Sequence, residues 1–323
     1  MPTGALAYCK YGYEATFGTA PGTRPEQFGH GVKVTSWSLD NAVNPIWGLG
    51  NPEPATYADG PVALDFGIEF EMAASDSKWL KGIFGAVTDG GATPYTHAYA
   101  KAAEPPSLTV DLQFDLGTDA MYQLTGVVIT SANITIEAGD TPAHCSLTCI
   151  AKTVTESAAS YGTPPTAPVD NVWSFGHATF TFNNVVLGKV ERCEFKIGHD
   201  AKMIYGLGSR VAAARVNGKL SYSARVVSLF EAHDDLFKYA LGSSSALSPE
   251  TDSVDLVGST VSLVFSNGAA AGALRKLEVV FSSPKVTKLS LSGVSVEDAI
   301  MEDLEIQALS VTATVSNNVS AGS

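Results

Sequence analysis

Residues 62–73 read VALDFGIEFEMA. In an extended chain Leu64, Phe66, Ile68, Phe70 and Met72 fall on one side, with Asp65, Gly67, Glu69 and Glu71 on the other. Alternation of period 2 over this span marks a strand with one buried and one wetted face. Residues 108–116 follow suit: Leu108, Val110, Leu112, Phe114 and Leu116 alternate with Thr109, Asp111, Gln113 and Asp115. Both polar faces are acidic, and the pattern assigns both to solvent.

The rest of the composition agrees with a chain made of strands. Apolar residues are 45% of the 323, so the chain can bury a core, and charged residues are only 16%. Val, Thr, Ser, Gly and Ala are abundant, which favours strands and turns over helices. At ~100–200 residues per domain, two domains are expected. Net charge is −13, a poor basis for gripping nucleic acid. The charge is uneven, with 17 acids and 7 bases in residues 1–160 against 16 and 13 in residues 161–323. No apolar run reaches the ~18–20 residues of a membrane span, so no membrane binding is expected. Residues 1–30 lack the basic and apolar regions of a secretion signal.

The chain also repeats itself. Ile46-Trp47-Gly48-Leu49-Gly50 returns as Ile204-Tyr205-Gly206-Leu207-Gly208, an offset of 158. Upstream at the same offset, Trp37 and Leu39 match Phe195 and Ile197. Downstream, Trp79-Leu80-Lys81 through Phe84-Gly85 matches Leu236-Phe237-Lys238 through Leu241-Gly242, and Val110, Leu112 and Phe114 match Val261, Leu263 and Phe265. Blocks matched in one order are the signature of an internal repeat.

The repeat divides the chain into an N-terminal arm at 1–31, a first unit at 32–155, a Pro- and Ala-rich linker at 156–172 and a second unit at 173–323. Each unit predicts a strand (32–39; 189–197), the aromatic-Gly-Leu-Gly turn and a long loop, then a second strand (62–73; 219–230). A short helix follows at 76–84 and at 234–241, with Ser75 and either His233 or Asp234 as N-caps and Gly85 and Gly242 as stops. Further strands complete the units at 108–116, 123–130 with 133–137, and 144–155, and at 261–265, 277–281 with 286–291, and 304–315. On the wetted faces the units differ: Lys219, Ser221, Ser223 and Arg225 stand where the first unit is acidic.

Catalytic and cofactor motifs are not found. There is no GxSxG, HExxH, Walker A loop or GxGxxG in context, so no enzyme activity and no cofactor are expected. His144 beside Cys145 and Cys149 is no metal set, because adjacent strand residues point to opposite faces. Cys145 and Cys149 lie ~13 Å apart along a strand, too far to bridge. With Cys9 and Cys193 they read as reduced thiols. Asp65, Glu69 and Glu71 could suggest a glycosidase carboxylate set, but nothing nearby marks a sugar cleft.

Three segments resemble the tail tube proteins of long-tailed phages and related archaeal viruses. These are YGYEATFGT at 11–19, VKVTSWSLDNAVNPIWGLGNPEPATYADGPVALDFGIEFE at 32–71 and SDSKWLKGIFG at 75–85. The resemblance implies a mainly β fold: two tandem copies of a β-sandwich or split barrel, each with one short flanking α-helix. It implies that six such domains, here three chains, close a ring whose inner wall is a β-barrel, and that rings stack into a hollow tube conducting DNA. The chain's partners would then be itself, other tail proteins at the tube ends and DNA in transient, non-specific passage. Its place would be the virion tail, assembled in the host cytoplasm. Asp65, Glu69 and Glu71, with Asp111 and Asp115, would line the lumen. The loop of Asn51, Pro52, Glu53, Pro54, Tyr57 and Asp59 would reach the adjoining ring. Two alternatives remain on sequence: a tail-tip or tube-terminating ring protein, and a carbohydrate-binding β-sandwich or surface-layer protein.

Overall fold

The computed structural model describes residues 5–50, 52–73, 77–115, 120–139, 142–157, 171–183, 185–229, 240–241, 259–270, 273–292 and 300–319. The first half contains β1 (Ala5–Tyr13), β2 (His30–Trp47), β3 (Pro54–Glu71), α1 (Lys81–Phe84), β4 (Gly85–Gly90), β5 (Tyr95–Lys101), β6 (Leu108–Asp115), β7 (Ala120–Glu137), β8 (His144–Ala151) and β9 (Thr153–Ser157). The second contains β10 (Ala178–Phe182), β11 (Val185–Val186), β12 (Val190–His199), β13 (Lys202–Tyr205), β14 (Ala212–Val216), β15 (Leu220–Leu229), β16 (Thr260–Ser266), β17 (Lys276–Ser282), β18 (Lys285–Ser292), β19 (Met301–Gln307) and β20 (Ser310–Asn317). The fold is mainly β, built of antiparallel sheets.

One ladder runs the length of the molecule in the order β2-β3-β8-β7-β12-β15-β19-β18. The strand order of its first four members is repeated by the last four. A second layer does likewise: β1-β6-β7-β9 in the first half, β10-β16-β17-β20 in the second. β7 serves both layers. Its start pairs with β6 and β9 and its end with β8 and β12. The chain turns between layers at Gly126, whose φ is 65°. In the second half this corner falls at Ser283, φ 50°, between β17 and β18.

Alternation places the core where the sequence predicts it. Leu64, Phe66, Ile68, Phe70 and Met72 are all buried. They share one hydrophobic cluster with Trp79, Leu80, Ile83 and Phe84 of α1 and the 3-10 turn before it. The Phe70 and Trp79 rings lie 5.5 Å apart, edge to face. Each such side chain stabilises by about 1.5–3 kcal/mol on burial. The helix is shorter than predicted and stops at Gly85, φ 95°; its expected start at Ser75 and Asp76 lies outside the described residues, as does most of 234–241.

Several strands differ from expectation. Residues 123–130 and 133–137 are one strand, β7, kinked by a bulge at Thr130. The stretch at 144–155 is two strands broken at Lys152. The loop after Gly50 is mostly strand, since β2 and β3 stay paired out to Trp47 and Pro54. Pro54 and Pro61 are tolerated because that hairpin is exposed on its sides. The N-terminal segment is more than an arm. β1 pairs with β6 along its length, and Tyr11 and Phe28 are fully buried beside Phe70. The β4–β5 hairpin carries little alternation, yet it joins the second half's layer through β5 and β20. One hydrophobic cluster therefore runs through both halves. All four cysteines are free and buried, and burial pushes the Cys193 thiol up to about 12.

Glu14, in the YGYEATFGT segment, ties β1 to its neighbours. Its carboxylate accepts hydrogen bonds from Gly18 N (2.7 Å), Ser107 Oγ (2.7 Å), Thr109 Oγ1 (2.7 Å) and Gly126 N (2.8 Å). Two of these donors come from glycines at positive φ, where a side chain would strain the backbone. A buried carboxylate is tolerated only when so satisfied. Glu14→Ala strands three buried donors and a fourth that is half-buried, and should cost about 3 kcal/mol or more in a denaturant titration; a loss below about 1 kcal/mol would show that the network does not hold β1.

Candidate assembly interface

The eight-strand ladder has one face on the core and one polar face. Asp65, Glu69 and Glu71 lie on the polar face of β3, Asp65 exposed and the glutamates half-buried. Their cross-strand neighbours on β2 are Ser38, Lys33 and His30. Asp111 is not with them. It lies on β6 in the other layer, 0% exposed, bonded by Arg24, by Gln123 Nε2 at 3.0 Å and by Lys10 at 3.9 Å. The segment around Arg24 folds over the face that alternation assigns to solvent, and Thr109 is buried for the same reason. Asp115 ends β6; its side chain is outside the described residues.

The second half's polar face carries both signs. Arg225 donates to both oxygens of Asp303, Nε at 2.9 Å and Nη2 at 2.6 Å. Lys288 bonds Glu305 at 3.2 Å, and Arg192 pairs with Glu194. Arg225, Lys288 and Arg192 are thus matched by acids on their own or neighbouring strands, while Lys196 on β12 is exposed between Asn133 and Ser223. Lys219 sits just before β15, exposed.

Two hairpins project from the ladder. One is the outer part of β2–β3, tipped by Gly48, Leu49 and Gly50; the other is β13–β14, tipped by Gly206, Leu207 and Gly208. Gly50 and Gly208 share one conformation, φ 78° and 81°, and Leu49 and Leu207 are fully exposed. Ile46, Trp47 and Tyr57 on the first, and Ile204 on the second, are also exposed. Tyr205 is held at the root of the first hairpin by its hydroxyl, which donates to Val62 O at 3.0 Å. Arg210 clamps the same root: Nε donates to Gly60 O, Nη2 to Asn41 Oδ1, and its carbonyl accepts from Val62 N. Pro52 and Glu53 are exposed at the tip, with Asp59 lower on β3; Asn51 is outside the described residues.

The ends of the ladder are its open features. Among the described residues, β2 pairs only with β3 and β18 only with β19. Apolar side chains sit open along both: Leu39 is 45% exposed and Leu291 47%. Unpaired edges of this length are templates for another chain. Nothing in the sequence pattern marks Arg210, Glu14 or these edges.

An open antiparallel ladder, apolar edges and two projecting hairpins make a surface for assembly. A family model of phage tail tube proteins matches residues 4–308. The chain belongs to the phage tail tube protein family, and so is a structural component of a virion tail that assembles with itself into a tube. A search of curated proteins found no match.

The hydrogen bonds from Arg225 hold the Asp303 carboxyl below its ordinary value. A depressed carboxylate contributes stability above its unfolded pKa, near ~3.9, and loses it as pH falls through the lower folded value. The Tm gap between the protein and Asp303→Asn should be constant from pH 5 to 8 and close below about pH 4. A gap that persists in acid would show that the pair contributes nothing through charge.

Proposed function

We propose that three chains close a ring and that rings stack into the tail tube, with DNA passing along the polar face of the ladder. The observation that carries this is the β7–β12 pairing. The last ladder strand of the first half meets the first of the second, while among the described residues the equivalent strands β18 and β2 end the ladder. The ladder holds an even number of antiparallel strands, so its two edges run in opposite directions and a second copy continues the pattern. Head-to-tail contacts of this kind close into rings when the rotation allows. The equal strand order of the two halves supports a duplicated domain, 32–155 and 173–323. Three chains then supply six units. The chain meets other tail proteins at the tube ends and is assembled in the host cytoplasm.

The projecting hairpins are assigned to contacts between rings. Their tip leucines are exposed and each is followed by a glycine of like φ, so six per ring would present one repeated apolar tip to the next ring. Native mass spectrometry should give three chains per ring, and six would overturn the proposal. Replacing Pro45–Tyr57 with a two-residue Asn-Gly turn should leave rings that do not stack; normal tubes would remove the hairpin's role.

The polar face is assigned to the bore, with Asp65, Glu69 and Glu71 on it. Carboxylates repel phosphate, whereas a basic wall releases counterions and retains DNA. In the second half the paired charges of Arg225–Asp303 and Lys288–Glu305 leave few cations open to DNA. Changing Asp65, Glu69 and Glu71 together to Lys should permit tubes but slow DNA ejection at least about tenfold at low salt. Ejection at the normal rate would show that wall charge plays no part in transport.

A further inference from the structure

We infer the register of the seam that joins one chain to the next: β18 pairs antiparallel with β2 of a second copy, with Leu291 opposite Trp37, Ser290 opposite Ser38, Leu289 opposite Leu39 and Lys288 opposite Asp40. This rests on the ring proposed above, and it is drawn from the seam inside the chain. There, Ile134 of β7 stands opposite Phe195 of β12, Asn133 opposite Lys196, Ala132 opposite Ile197 and Ser131 opposite Gly198.

Two independent alignments carry that seam to the open edges. The first matches β7 to β18. Each follows a positive-φ corner, Gly126 or Ser283. Each then has one bulge, between Ile129 and Ser131 or between Val286 and Lys288. The threonine within each bulge makes the same bond: Thr130 Oγ1 donates to Thr148 O at 3.0 Å, Thr287 Oγ1 to Glu305 O at 3.2 Å. After the bulge, Ala132 faces Leu147 as Leu289 faces Leu304, and Asn133 faces Ser146 as Ser290 faces Asp303. The second matches β2 to β12. Trp37 faces Phe66 and Leu39 faces Leu64, as Phe195 faces Ala224 and Ile197 faces Tyr222. A one-residue slip would turn every side chain to the other face, so these rungs fix the transfer.

The transferred seam makes chemical sense at each rung. Inside the chain the apolar rungs are closed: Phe195 is 0% exposed and Ile134 1%. At the edges the matching side chains Leu39 and Leu291 stand open, and pairing them with Leu289 and Trp37 would close both. On the polar face, small Ser290 meets small Ser38. Lys288, exposed and bonded on its inner side to Glu305 at 3.2 Å, would lie between that acid and the exposed Asp40 of the next chain, where the internal seam has the neutral pair Ser131 and Gly198. Opposed charges directly across antiparallel strands stabilise, and like charges destabilise.

The test is disulfide cross-linking of assembled rings carrying Ser38→Cys and Ser290→Cys. Both positions lie on the polar face, away from the four buried native thiols. Directly opposed residues are within bridging distance, whereas a partner two residues along, ~7–8 Å away, is too far. Mild oxidation should give covalent three-chain products from this pair, and none from Ser38→Cys with Ser292→Cys or from either single variant. As a second measurement, Asp40→Lys should reduce ring yield about tenfold, with recovery when Lys288→Asp is added. Intact rings that cross-link only through the offset pair, or through neither, would overturn the register while leaving the ring. Failure of the unaltered chain to form rings would instead remove the reading on which it rests. Equal yields from the single and double charge variants would overturn the Lys288–Asp40 rung.

Discussion

The ladder between β7 and β12 is the constraint on which the rest of the structure depends. It converts two four-strand units into one eight-strand wall and buries Ile134, Phe195 and Ile197 at the join. The same ladder sets the problem at the ends. A sheet that is not closed must leave two edges, and natural sheets blunt theirs with short strands, charges or covering loops. Here β2 and β18 are long and carry apolar side chains in the open. In a monomer that is a liability; in a family that builds tubes it is the expected state of an unassembled subunit.

The second layer reinforces the join. β5 leaves the first half and adds to β20 of the second, so the halves are linked through both layers. Hinge motion between the halves would have to break two ladders at once. Glu14 acts at the other side of the first half, where four donors converge on one carboxylate and fix β1 against the corner at Gly126.

Much of the wall was legible in the sequence because it obeys period 2. Residues 62–71 lie in β3 and 108–115 in β6, and Leu64, Phe66, Ile68, Phe70 and Met72, which alternation picks out, are all buried, joined by Gly67 and Ala73 from the other side of the pattern. What alternation cannot register is a covering segment. Asp111 has the pattern of a wetted residue and is the most enclosed of the acids because Arg24 and Lys10 are folded onto it from elsewhere. Strands with mixed or exposed faces, β4, β13 and β14, carry no periodic signal, and their existence is a product of pairing. The edges were hidden for a related reason. Trp37 and Phe195 occupy matching rungs with similar chemistry, and only the topology reveals that Phe195 lies inside the ladder and Trp37 on its end strand.

The distribution of charge follows from the same wall. In the first half the acids of β3 face Ser38, Lys33 and His30 across the strands, and in the second half Arg225, Lys288 and Arg192 pair with Asp303, Glu305 and Glu194. The two halves, alike in strand order, thus carry different polar faces. The most direct test of the central claim is a helical reconstruction of assembled tubes by electron cryomicroscopy. The expected map has three chains per ring and an inner wall in which β18 of each chain runs antiparallel beside β2 of the next. A map in which both edges remain unpaired, or in which Asp65, Glu69 and Glu71 lie on the outer surface of the tube, would contradict it.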